Sequence, residues 1–150
     1  MKKHTYSILI LLAVLATGCE LNEPRPSDDR PCGPKTCTEE FASITVKFVD
    51  KIGNTLAVND FKSINSRTGL AVKYAGPYPT SGAASYTVAN DSDLKEFSET
   101  GDEVVVSGTN PVTGQVKTAS FTISGGCACH IHKVSGPTQI AFDELYVGFR

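Results

Sequence analysis

The sequence predicts an all-β protein, an antiparallel sandwich of seven or eight short strands. Three observations carry this expectation. Val, Ile, Thr, Ser and Gly dominate, Trp is absent and Met1 is the only methionine, a composition suited to strands and turns. Apolar residues recur with period two from Phe41 onward. Gly, Pro and Asn break the chain at short intervals, and only one segment has a helical signal.

The elements follow in order. Ile44, Val46 and Phe48 alternate with Thr45 and Lys47, the pattern of a half-buried first strand. Lys51-Ile52-Gly53-Asn54 is a turn, and a second strand covers Asp60 to Ser66. Arg67-Thr68-Gly69 turns the chain into a third strand, Leu70 to Tyr74. Residues 75–83 (AGPYPTSGA) form a loop with two prolines, and Ser85 to Ala89 is the fourth strand. Residues 91–99 (DSDLKEFSE) carry the one helical turn, with Asp91 or Ser92 as N-cap. Asp102 to Thr109 is the fifth strand. Asn110 to Gly114 connects it to the sixth, Gln115 to Ser124, which Gly125-Gly126 ends. Cys127 to Val134 and Thr138 to Phe142 are the seventh and eighth, and ELYVGFR closes the chain as edge pairing or loose packing.

Ahead of the strands lies a different kind of sequence. Lys2 and Lys3 precede an apolar run, Tyr6 to Ala16, which falls well short of the roughly 20 residues a spanning helix needs. The run ends in Leu15-Ala16-Thr17-Gly18-Cys19. This order resembles the lipobox signal peptide of bacterial lipoproteins. Leu15 stands four residues before the cysteine, and Ala16 occupies the usual leucine place. The resemblance implies removal of residues 1–18, a diacylglycerol on the Cys19 thiol and acylation of the new amino end. Membrane lipid is then a partner, since each buried methylene contributes about 0.8 kcal/mol and two or three chains make release slow. In that family an aspartate after the cysteine favours inner-membrane retention, so Glu20 favours the outer membrane, facing periplasm or cell surface.

Residues 20–36 (ELNEPRPSDDRPCGPKT) are rich in Pro and charge without an apolar period. Together with the lipidated Cys19 they read as a flexible linker, 19–36, before a β-sandwich domain at 37–150. Some 130 residues remain after the signal, enough for one core. The net charge of the full chain is −2. Loss of Lys2 and Lys3 takes the mature chain two units further, to about −4, which argues against nucleic acid as a partner.

Five cysteines is an odd number for an exported chain. With Cys19 acylated, Cys32, Cys37, Cys127 and Cys129 remain, and an oxidising compartment makes two disulfides the default. Three pairings exist. On a strand, Cys127 and Cys129 share a face with their Cα atoms about 7 Å apart, at the limit of a bridgeable span. Each is therefore expected to reach to Cys32 or Cys37, across a loop of roughly 90 residues.

The strings SITVKFVDKIGNTLA, SRTG, GDEVVVSGTNPVTGQVKT and CHIHKVSGPTQIAF resemble the prealbumin-like or carboxypeptidase-regulatory-like sandwich domains of exported bacterial proteins. The resemblance covers about residues 40–142. It implies an immunoglobulin-like or prealbumin-like sandwich and an accessory or adhesive role, with no catalytic residues to carry over.

Several local features bear on chemistry. Cys127-Ala128-Cys129-His130-Ile131-His132 brings sulfur and imidazole together, as metal sites do. On a strand the cysteines face one way and His130 and His132 the other. A His-x-His pair holds Zn²⁺ or Cu²⁺ only with a third ligand, and His4 leaves with the signal. Structural disulfides are the favoured reading, and no cofactor is expected. Asn90-Asp91-Ser92-Asp93 resembles the opening of a calcium loop, but Lys95 and Gly101 stand where that loop needs Gly and Glu, which favours helix capping. Asn110 to Gly114 resembles a sortase motif but sits between two strands as a hairpin turn. Tyr74, Tyr78 and Tyr86 cluster about loop 75–83, where aromatic side chains bind glycan or an envelope protein.

No G-x-S-x-G elbow and no pairing of carboxyls is legible, so the expectation is a protein without enzymatic activity. The leading expectation is a lipid-anchored module for binding, adhesion or envelope structure. The alternatives are metal handling through His130 and His132, or a small inhibitor or immunity-type lipoprotein acting on an envelope hydrolase.

Overall fold

A computed structural model describes residues 32–77 and 85–143. The signal segment and lipobox with Cys19, the linker as far as Pro31, loop positions 78–84 with Tyr78, and the tail 144–150 lie outside the described residues. The last part of the predicted linker, 32–36, is described and belongs with the domain, because Cys32 is bonded to Cys127. No helix among the described residues is long and apolar enough to cross a membrane, which says nothing of a β-barrel.

The described chain is almost entirely β. Its strands are β1 (Ser43–Val49), β2 (Asn59–Asn65), β3 (Leu70–Ala71), β4 (Gly76–Pro77), β5 (Ser85–Asn90), β6 (Asp102–Thr109), β7 (Val116–Ser124), β8 (His132–Ser135) and β9 (Gln139–Ala141). One 3-10 helix, Asp91–Glu96, sits between β5 and β6. The strands form two sheets, ordered β4-β5-β1-β9 and β3-β2-β6-β7-β8.

Period-two patterning decides which face of each strand is buried. In β1, Ile44, Val46 and Phe48 are buried while Ser43, Thr45 and Lys47 are exposed. In β6, Val104 and Val106 are buried, and in β7 Phe121 and Ile123 are. Val46, Phe48 and Val88 of the first sheet share one hydrophobic cluster with Val104, Val106 and Phe121 of the second. That cluster makes the two sheets a sandwich.

Four findings differ from the sequence expectation. The third strand ends at Ala71: Val72 still donates its N–H to the Ser63 carbonyl opposite it, but the chain then turns, with the Ala75 N–H donating back to the Val72 carbonyl. A two-residue strand, β4, forms inside the predicted loop and pairs with β5 at Tyr86 and Thr87. The seventh strand begins only at His132, five residues later than predicted. Residues 127–131 are pulled out of the ladder: Ala128 turns back onto Gly125, and the Ile131 N–H donates to the Asp91 carboxylate rather than to a strand. Finally, the sandwich is not wholly antiparallel. β9 lies parallel to β1, with Lys47, Phe48 and Val49 opposite Gln139, Ile140 and Ala141.

That parallel pairing requires the chain to cross from β8 in one sheet to β9 in the other. Ser135-Gly136-Pro137 makes the crossing. Gly136 has φ +126°, and a Cβ there would stand 2.4 Å from Cδ1 of the buried Phe121. Only glycine admits both the backbone conformation and the close approach.

Tyr86, expected in a binding loop, belongs to the core. It is 5% exposed, stacks on Phe61 at 4.7 Å and meets the Phe48 ring edge-to-face at 5.6 Å. Its hydroxyl accepts from the Val58 N–H at 2.7 Å. A period-two reading of β5 puts Tyr86 and Val88 on one face, and that face is the interior.

A carboxylate fixes the 3-10 helix to the second sheet. The side chain of Asp102, 3% exposed, accepts from Asn65 Nδ2 at 2.9 Å, Arg67 Nε at 2.8 Å and Ser98 Oγ at 2.7 Å. Arg67 also reaches the Glu96 carbonyl. Burial alone would raise the Asp102 pKa, but the hydrogen bonds from Ser98, Asn65 and Arg67 outweigh it and hold the carboxyl below its ordinary 3.8. A depressed folded pKa contributes stability above pH 3.8 that is lost as pH falls through the folded value. Asp102→Asn is expected to cost about 2–3 kcal/mol at pH 7, because it strands buried donors. It should also shrink the stability difference between pH 7 and pH 3, as read by urea unfolding at both values.

Candidate functional site at the stapled end of the sandwich

The acidic run after β5 divides its labour. Asn90, not Asp91 or Ser92, is the N-cap: its side chain accepts from the Ser92 N–H at 2.8 Å. Asp93 completes the capping box by accepting from the Asn90 N–H at 3.1 Å, and takes the Tyr74 N–H at 3.2 Å. Asp93 is fully buried, and desolvation pushes its pKa up despite those bonds. The capping geometry accounts for the residues that resemble a calcium loop.

Asp91 reaches a different set of partners. Its carboxylate accepts from the Ala42 N–H at 2.7 Å, just before β1, and from the Ile131 N–H at 2.9 Å, just before β8. Its Oδ2 lies 2.7 Å from His130 Nδ1. Burial works to raise its pKa, yet the Ala42 N–H, His130 and the Ile131 N–H together hold it below the ordinary carboxylate value. An ionised carboxylate is an acceptor only, so His130 carries a proton on Nδ1 and donates it to Asp91. In the neutral imidazole Nε2 is then a lone-pair acceptor. It faces the Thr38 hydroxyl at 3.0 Å.

Two disulfides bring Thr38 there. Cys32 is bonded to Cys127 and Cys37 to Cys129, with Cα separations of 5.2 and 5.4 Å. Both bridges run from the start of the domain to the segment before β8, so each of Cys127 and Cys129 reaches to the N-terminal pair as expected, although neither lies on a strand and the strand parity of the two cysteines and of His130 does not apply. Segment 32–40 forms no strand and is exposed along its length. It is held by the bridges, by Lys35 Nζ donating to the Cys127 carbonyl, and by the Thr38–His130 bond. Thr38 follows Cys37 and His130 follows Cys129, so the second bridge sets hydroxyl and imidazole side by side.

Two glycines lead into the bridged residues Cys127 and Cys129. Gly125 and Gly126 donate to the Ser98 and Leu94 carbonyls at 3.0 and 2.8 Å. A Cβ on Gly125 would stand 2.5 Å from the Leu94 carbonyl oxygen. Gly125-Gly126 therefore ends β7 and brings its backbone close against the end of the 3-10 helix.

The remaining predicted site residues do not converge. His132 lies in β8, exposed, opposite Ser124. Both ring nitrogens of His130 already have partners. Among the described residues no three His, Cys, Asp or Glu side chains are grouped to hold a metal ion. Tyr74 is half-exposed at 46%, with the Lys73 ammonium 5.0 Å from its ring centre. An open cleft of about 570 Å³ lies on the other side of β5, lined by Val58, Asp60, Phe61, Pro77 and Tyr86 among others. The chain matches no family model, no curated protein and no solved structure.

Proposed function

We propose that the mature chain is a lipid-anchored protein of the cell envelope, held by acyl chains on Cys19 and presenting its β-sandwich on the tether that follows. The cysteine count carries this reading. Two disulfides take up four of the five cysteines, so Cys19 has no cysteine in its own chain to pair with. Its place at the end of Leu15–Cys19, behind an apolar run, offers the thiol a thioether to glycerol instead. The crosslinks at Cys32 and Cys37 suit a domain that is pulled from its N-terminal side. They fasten the residues that follow the tether to the fold covalently, where an uncrosslinked strandless segment would peel away.

The presented domain serves binding, adhesion or envelope structure, at the outer membrane as Glu20 favours. Two facing sheets with short turns support its kinship with prealbumin-like accessory domains. Labelled palmitate fed to producing cells tests the anchor. Wild-type protein is expected to take up label and stay with membranes after a high-salt wash, and Cys19→Ser to take up none. Unlabelled wild-type protein in the soluble fraction would overturn the reading.

A further inference from the structure

Thr38, His130 and Asp91 stand in the order hydroxyl, base, orienting carboxylate, at 3.0 and 2.7 Å. A nucleophilic hydroxyl needs this arrangement: a base within hydrogen-bond reach, and a third group fixing the base's tautomer and orientation. The Asp91 carboxylate is itself held by two backbone N–H groups, so it cannot swing away from the ring. Thr38 lies on an exposed segment, open to an incoming molecule. The geometry points to Thr38 as an activated hydroxyl that accepts the acyl group of an activated carboxylic ester.

The step balances. His130 Nε2 takes the hydroxyl proton as Thr38 Oγ1 attacks the ester carbonyl carbon. The Oγ–C bond forms, the ester C–O bond breaks, and the departing oxygen takes the proton back from His130. The products are acyl-Thr38 and a free alcohol or phenol, with no change in oxidation state. Asp91 acts as a positioning residue, because it touches only the base. Base assistance contributes a factor of about 10²–10⁴ over an unassisted hydroxyl. No oxyanion donor is invoked, so the further 10²–10³ such a donor adds is not expected, and acylation should be slow and stoichiometric. This reactivity goes beyond anchoring and does not depend on it.

The full mature chain in detergent, oxidised, is incubated with p-nitrophenyl acetate and mapped by peptide mass spectrometry. Thr38 is expected to gain acetyl at least 10-fold faster than the neighbouring exposed Thr36. Thr38→Ala should remove that adduct, and Thr36→Ala should leave it unchanged. His130→Ala should slow acetylation of Thr38 at least 10-fold, and added imidazole should restore part of the rate, a rescue that a merely structural histidine would not show. Paired replacement of Cys37 and Cys129 by Ala should slow it as well, since that bridge sets the pair; circular dichroism confirms that each variant is folded. Acetylation of Thr38 no faster than Thr36, or unaffected by His130→Ala in folded protein, would overturn the proposal.

Discussion

Removing both disulfides together is expected to cost the domain about 7 kcal/mol, more than twice the cost of removing either one. The reason is topological. The bridges span 95 and 92 residues of sequence, but both join the same two short segments. The first bridge formed closes a long loop in the unfolded chain, which contributes about 4.7 kcal/mol by chain entropy. Once it exists, the second pair is separated only by the short path from Cys37 back to Cys32 and from Cys127 on to Cys129. Closing roughly eight residues contributes about 2.5 kcal/mol. Each single bridge is thus backed by the other. Paired Cys→Ala variants at 32/127, at 37/129 and at all four positions, compared by guanidinium unfolding, check this. The expected losses are about 2–3, 2–3 and 7 kcal/mol. Domains of this size are stable by about 5–15 kcal/mol, so the fourfold variant should be close to unfolding at 37 °C. Single-bridge losses near 5 kcal/mol that simply add would contradict the shared-loop account.

Phe48→Ala is expected to cost about 3–5 kcal/mol, the largest effect of any single side chain in the core. Phe48 is fully buried on β1, the strand between β5 and β9. Its ring meets Tyr86 and Phe61 edge-to-face, at 5.6 and 6.3 Å, and lies 5.9 Å from Phe142. On its far side it closes over Gly108 of the opposite sheet, where a Cβ would stand 2.7 Å from the ring. Truncation loses the transfer energy of the ring, the edge-to-face contacts and the filling of the space between sheets. A fall in Tm of roughly 15–25 °C should follow. Ile52→Ala, at a residue 71% exposed on the β1–β2 turn, serves as the comparison and should change stability by no more than about 0.5 kcal/mol.

Most of the sandwich was legible because alternation and turn chemistry are local. Ile44, Val46 and Phe48 announce β1. Val104 and Val106 announce β6, whose bounds Asp102–Thr109 are those read from the sequence. Asn110 to Gly114 closes its hairpin through the Asn110 side chain, which accepts from Val112 and Thr113, and through the Gly114 N–H donating to the Asn110 carbonyl. What local pattern does not encode is pairing at a distance. The parallel partnership of β9 with β1 depends on a crossing that only Gly136 hints at. The late start of β8 depends on crosslinks to residues 95 and 92 positions away, which override the strand propensity of 127–131.

The candidate site was hidden for the same reason. Asp91 read as a helix cap, His130 as half of a metal pair and Thr38 as the first residues of a domain. Choosing between the two cross-pairings of the cysteines was the missing step. With Cys37 joined to Cys129, the next residue on each side gives Thr38 beside His130, and the sequence carries no other signal for that contact.

The central claim is that one cysteine takes lipid while the other four join the start of the domain to the segment before β8. Mass mapping of the unreduced, detergent-extracted protein tests both halves at once. The predicted result is an N-terminal peptide beginning at a diacylglyceryl-modified Cys19, together with Cys32–Cys127 and Cys37–Cys129 linked peptides. A free thiol at Cys19, or a Cys32–Cys37 linked peptide, would contradict it.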